Sequence, residues 1–271
     1  MMSNPHLPPE ILDHIIDHLH DTKAALRNCC LVSKSWIPRT QKHLFADVDF
    51  RPARHLWSWK EKFPDPSTSP AYYAKTLLFG CFFAVTTEDA EVGGWIRGFS
   101  RVEHLAMDSR KLIVNELVSL VPFHGFSLAI RSLRMTFDII SNFPQIFNLI
   151  LSFPLLEDLT ATASYISSAF SVYGLDEPPT AAQPSSPPML TGSLALNLEG
   201  GMGPFVRRLL SLPGGIHFRK LDLKWVCEQD LSATMKLVEG CSHTLESLDI
   251  SDLPGTFIRH PHPHPHPHPH R

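Results

Sequence analysis

The 271 residues are 43% apolar, 10% aromatic and 19% charged, enough to bury a sizeable core in one or two domains and too apolar for a wholly disordered chain. Twenty-four Lys and Arg against 27 Asp and Glu leave a net charge of -3 with no long run of one sign. This argues against a dedicated nucleic-acid or membrane-surface binder and makes proteins the expected partners.

Cys29, Cys30, Cys81, Cys227 and Cys241 have neither metal-pair spacing nor a dense disulfide framework, so reduced thiols in the cytoplasm or nucleus are expected. The first residues lack a basic flank and an apolar h-region, which predicts no secretion signal. The longest apolar stretch, Leu77 to Val85 broken by Gly80, is about half the roughly 20 residues a membrane helix needs.

Residues 7 to 45 form the first structured unit. In LPPEILDHIIDHL, the apolar residues Ile11, Leu12, Ile15, Ile16 and Leu19 make a wide helical stripe, and Pro8 and Pro9 sit where a helix begins. Asp21 or Thr22 can cap a second short helix through Leu26 to Cys30. Ser33 can cap a third, carrying Trp36 and interrupted or restarted at Pro38. A unit of about 40 residues rarely folds alone, so another surface must cover its stripe.

After residue 45 a repeat begins. KTLLF, EHLAM, SLRM, EDLTA, GSLALNL, RKLDLKW and ESLDI are short strand patterns anchored at Leu77, Leu105, Leu133, Leu159, Leu194, Leu221 and Leu248. The steps between anchors are 28, 28, 26, 35, 27 and 27 residues. Val48 and Phe50 suggest an initiating eighth strand. Helix-compatible stretches lie between strands, at Trp95 to Phe99, Phe147 to Phe153, Phe205 to Leu212 and Met235 to Val238. Strand and helix at this period predict an α/β fold, an irregular leucine-rich-repeat solenoid with a parallel sheet, whose usual period is about 20 to 29 residues. The Asn usual five residues after each anchor is replaced, for example by Val226 and Leu253.

The long step contains residues 176 to 188, DEPPTAAQPSSPP, expected to be an exposed loop. Residues 260 to 271, HPHPHPHPHPHR, are expected to form an extended, coreless tail. The organisation is therefore residues 1–45, the small helical unit; 46–258, the repeats; and 259–271, the tail.

The first unit resembles an F-box: Leu7-Pro8, Glu10-Ile11, Leu19, Leu26, Cys30-Leu31-Val32-Ser33-Lys34, Trp36 and Leu44-Phe45 match that pattern in order over about a seventh of the chain. With the repeats, the chain resembles the leucine-rich F-box proteins expanded in fungi. The resemblance implies docking on a Skp-type adaptor and, through it, a cullin in an SCF ubiquitin ligase. It makes Leu7, Pro8, Ile11, Leu12, Ile15, Leu19, Leu26, Val32 and Trp36 the expected adaptor-docking or box-core positions. A target-receptor role without chemistry of its own is the leading expectation. The alternative is a repeat scaffold, or a truncated F-box protein, acting outside ubiquitin ligation.

Alternation along the strands turns one row outward at His104, Ser132, Asp158, Ser193, Lys220 and Ser247, and a second at Ala106, Arg134, Thr160, Ala195, Asp222 and Asp249. Within these rows Arg134, Lys220, Asp222 and Asp249 are the candidate contacts for a protein target. Signals of chemistry are weak. Gly201-Met202-Gly203 lacks the third glycine of a dinucleotide fingerprint, Val206 standing in its place. His14 and His18 are four apart but lack the neighbouring Glu of a zinc protease, Ile15 occupying that place. No cofactor and no structural or catalytic metal is expected, although the exposed imidazoles of the tail should retain nickel resin.

Overall fold

The computed structural model describes residues 8–65, 68–80, 89–109, 120, 123–140, 143–166, 188, 190–199 and 202–251. Leu7, nearly all of the 176–188 segment and the 260–271 tail lie outside the described residues.

Three short helices come first: α1 (Pro9–His18), α2 (Lys23–Val32) and α3 (Ile37–Leu44). Proline in the first turn starts both α1 and α3, where a missing N–H costs nothing because that donor has no intrahelical partner. Between α2 and α3 the chain makes a 3-10 turn, Lys34–Trp36, with Ser35 N–H donating to Ser33 Oγ, so the expected Ser33 cap and the restart at Pro38 are both present. Thr22 occupies the cap position of α2 without a side-chain hydrogen bond. Among the described residues of this unit Ile16, Leu26, Cys29 and Thr40 are buried, a very small core.

The remainder is a mixed α/β body around an eight-stranded sheet, β1 (Asp47–Phe50), β2 (Thr76–Phe79), β3 (His104–Ser109), β4 (Ser132–Ile140), β5 (Asp158–Ile166), β6 (Ser193–Leu198), β7 (Lys220–Lys224) and β8 (Ser247–Ser251). The strands lie in chain order and every neighbouring pair is parallel. Val48, Leu77, Leu105, Leu133, Leu159, Leu194, Leu221 and Leu248 stand opposite one another across all eight strands. The repeat read from leucine spacing is thus the register of the sheet, and the long step between Leu159 and Leu194 leaves that register intact.

Between the strands run α4 (Ala53–Lys62), α5 (Asp89–Ile96), α6 (Phe143–Leu151), α7 (Met202–Leu210) and α8 (Leu231–Cys241). Their apolar faces and the inward strand residues make one continuous core, with Phe99, Phe147, Phe153 and Phe205 fully buried beneath the leucine row. The small helical unit joins it through α3, which packs on the 3-10 turn Pro70–Tyr73, and through Phe45, edge-on to Trp59 at 5.6 Å.

Two residues before each anchor, the sheet carries a row of alternating charge: Lys75, Glu103, Arg131 and Glu157, then Gly192, then Arg219 and Glu246. Lys75 pairs with Glu103, Arg131 with Glu157 at 2.6 Å, and Arg219 with Glu246 at 3.8 Å. The backbone repeats the pattern, the carbonyls of Lys75, Glu103, Arg131, Gly192 and Arg219 each accepting two N–H groups from the next rung; Arg131 O, for instance, accepts from Glu157 and Asp158. At the interruption, Asp158 Oδ1 takes over by accepting from Ser193 N–H at 2.6 Å and from Ser193 Oγ at 2.7 Å.

Candidate functional site

The helical unit presents an apolar surface that its own core cannot use. Ile11 and Ile15, one turn apart on α1 and hence on one face, are 47% and 42% exposed. At the end of α2, Leu31 and Val32 are 86% and 66% exposed. Of the positions expected to dock, Pro8, Ile11, Ile15 and Val32 are exposed, whereas Leu12, Leu19 and Trp36 are half-buried. Leu26 is fully buried and belongs to the core of the unit. Leu31, the most exposed large apolar side chain here, was part of the matching motif but absent from the expected docking set.

A polar clamp holds α1 on α3. Asp17 Oδ1 accepts from Arg39 Nε at 2.7 Å, and Arg39 Nη2 donates to Asp17 Oδ2. His43 Nε2 lies 2.7 Å from Asp17 Oδ1. The guanidinium bonds hold the Asp17 carboxyl far below the usual carboxylate range, against a smaller opposing effect of burial. On the far side of α3, Thr40 Oγ1 donates to Trp36 O at 2.7 Å, tying the helix to the 3-10 turn. The clamp fixes α1 on α3, and α2 packs on the same helix α3.

The second surface is the outward face of the sheet. Asp222 and Asp249 stand opposite each other on β7 and β8, and Lys220 lies two residues earlier on the same face of β7. Arg134 sits on β4, three strands away, or about 14 Å at the usual strand spacing. The four predicted contacts therefore share a face but fall into one cluster and one separate cation. Lys224 Nζ approaches Asp222 Oδ2 at 3.8 Å, an ion pair the outward rows did not anticipate. Arg134 is exposed, flanked in register by Ala106 and Thr160 and along its strand by Ser132 and Thr136, all small.

Trp225 closes β7 at φ 60°, a left-handed conformation that costs a bulky residue about 1–2 kcal/mol. The twist breaks the alternation, leaving Trp225 exposed on the rim and turning Val226 into the core.

The weak chemical signals find structural explanations. Gly203 N–H donates to Asp230 Oδ1 at 2.7 Å, and a Cβ at position 203 would meet that oxygen at 2.5 Å. The glycine serves close approach of the chain's own carboxylate to the start of α7, where a bound phosphate would have to sit. His14 and His18 are exposed with ring centroids 4.3 Å apart, and among the described residues no group of three His, Cys, Asp or Glu could hold a metal ion. No described helix is long and apolar enough to cross a membrane.

Residues 5–38 match the F-box-like domain family, which supports reading the chain as an F-box protein. The match ends at Pro38, inside α3, whereas the pattern read from the residues runs on to Phe45. No curated protein and no solved structure matches the chain.

Proposed function

We propose that this chain is a substrate-receptor subunit of an SCF-type ubiquitin ligase. Its box docks a Skp-type adaptor and, through that, a cullin, while the outward face of its repeats receives a protein target. The chain performs no chemistry; it raises the concentration of a target near the ubiquitin-charged enzyme. The observation that carries the reading is the coincidence of the F-box-like match with four large apolar side chains, Ile11, Ile15, Leu31 and Val32, exposed on the same rigid unit. Such side chains fit an apolar groove on a partner, the way amphipathic helices are recognised.

The repeats are read as an irregular leucine-rich-repeat solenoid, supported by the in-order parallel sheet and its leucine register. Solenoids bind through extended faces, and a mix of Arg134, Lys220, Asp222 and Asp249 suits a polar protein target. The test is paired capture from cells of the chain's own source. The wild-type chain brings down adaptor, cullin and proteins whose abundance rises when the chain is deleted. Charge reversal at Arg134, Asp222 and Asp249 loses those proteins and keeps the adaptor. Adaptor without cullin identifies a role outside ubiquitin ligation, and retention of the targets by the triple variant moves recognition to another surface.

A further inference from the structure

Beside β1, the outermost strand at the first edge of the sheet, lies a slot of about 360 Å³. All four residues of the strand line it, and alternation sends Asp47 and Asp49 to one face of the sheet and Val48 and Phe50 to the other, so the slot runs along the edge itself. Ala46 O accepts from Thr76 N–H on β2, which turns the backbone groups of Asp47 and Asp49 the opposite way, toward the slot. Among the described residues the backbone of that edge meets one long hydrogen bond, between His55 Nδ1 and Asp49 O at 3.4 Å. Phe45 and Trp59 also line the slot, and Trp59 Nε1 is buried without an acceptor. Helix α2 contributes Lys23 and Arg27, one turn apart and exposed, whose side chains have no ion pair or hydrogen bond among the described residues.

We propose that the C-terminal segment of the protein target docks here, adding a strand outside β1 with its terminal carboxylate held by Lys23 and Arg27. An exposed edge is a ready template for an extended chain, and the four residues of β1 offer about 13 Å of it. One row of the added strand lies on the side of Val48, Phe50 and Trp59, which calls for apolar side chains, and a carbonyl of the segment can accept from Trp59 Nε1. The other row stands opposite Asp47 and Asp49, where cations are favoured and like charges repel. Neither row has a place for an acidic side chain, yet two unpaired cations line the slot. The anion that satisfies both conditions is the α-carboxylate at the end of a chain, which two adjacent cations hold by charge-assisted hydrogen bonds. That this protein is the ligase target rests on the proposed receptor role, whereas the preference for an extended, apolar, carboxylate-ended segment rests on the residues of the slot alone.

The test uses the full chain without adaptor, so its outcome is separate from whether the box docks. The probe is an acetylated hexapeptide alternating lysine with valine and ending in a free carboxylate on valine, with its carboxamide as the control. In NMR titrations the free acid should shift the Trp59 indole N–H and the Asp47 and Asp49 amides saturably, and the carboxamide should bind about tenfold more weakly. Lys23→Gln with Arg27→Gln should impose the same loss on the free acid and leave acid and carboxamide alike, and Trp59→Phe should weaken both about fivefold. No saturable shift, or equal binding of acid and carboxamide to the wild-type chain, overturns the proposal. Protection of the Asp47 and Asp49 amides in the free chain that is lost when residues 1–7 are removed also overturns it, by assigning the edge to the chain's own first residues. Shifts of these amides with chain concentration alone do the same, by assigning the edge to a second copy.

Discussion

Reversing one charge in the ladder, Arg131→Glu, tests whether ion pairs help set the register of the sheet. Arg131 donates to Glu157 Oε1 at 2.6 Å and also favours the ionised form of Glu103, whose carboxyl Lys75 already holds below its ordinary value. Both Arg131 and Glu157 are about half exposed, so the lost attraction is worth only about 0.5 kcal/mol. The reversal adds two repulsions, each about 1 kcal/mol at 4 Å in water. The total is roughly 2.5 kcal/mol at low salt, a fall of about 5–10 °C in Tm for a body of this size. Raising the salt to about 1 M shortens the Debye length to about 3 Å and should recover most of that loss. Adding Glu157→Arg should recover about 1.5 kcal/mol of that at low salt, leaving the repulsion from Glu103 in place. Thermal melts of wild type, Arg131→Glu and the swapped pair at both ionic strengths provide the measurement. An equal loss at both salts with no recovery in the swapped pair would refute the reasoning and assign the effect to packing of the Arg131 stem.

Leu26→Ala should destabilise the box by about 2–5 kcal/mol because its side chain is fully buried, whereas Leu31→Ser should change the melt by less than about 0.5 kcal/mol and weaken adaptor capture tenfold or more. Asp17 has a lowered carboxyl pKa in the folded chain, so its clamp contributes fully above the unfolded value of about 3.9 and is lost as pH falls through the folded value. Acid melts of Asp17→Asn should accordingly lose the steep part of the wild-type decline below about pH 4, at a cost of about 1 kcal/mol near neutrality. Gly203→Ala should displace Asp230 and cost about 1–3 kcal/mol through the lost hydrogen bond to a buried N–H, read as faster exchange at the start of α7.

What could be read from the sequence was what repeats or follows a local rule. The leucine anchors were legible because an inward position needs an apolar side chain whatever surrounds it, and spacing alone then reports the register. The Ser33 cap and the restart at Pro38 were legible because capping and proline geometry act within a few residues. Helix α4 was not anticipated, although Leu56, Trp59 and Phe63 have helical spacing, because the leucine repeat does not extend through that stretch. The charge ladder was present once the rungs were aligned, at the position two before each anchor, but ion pairs between residues 26–28 apart have no local signature. Trp225 could not be foreseen, since a left-handed backbone normally announces itself with glycine. In the box, sequence separated apolar from polar but not inward from outward: the expected set took in Leu26 without dividing docking from core and left out Leu31, and the packing of α2 on α3 puts Leu26 inside and Leu31 outside.

Titration of the purified full chain with a purified Skp-type adaptor, followed by calorimetry and by light scattering, tests the central claim most directly. The account predicts a one-to-one complex, weakened by Leu31→Ser and lost when Ile11, Ile15 and Val32 are also replaced by serine, with the melt of the repeats preserved in each variant. Absence of a complex with the folded wild-type chain, or a complex that survives all four substitutions, would contradict it.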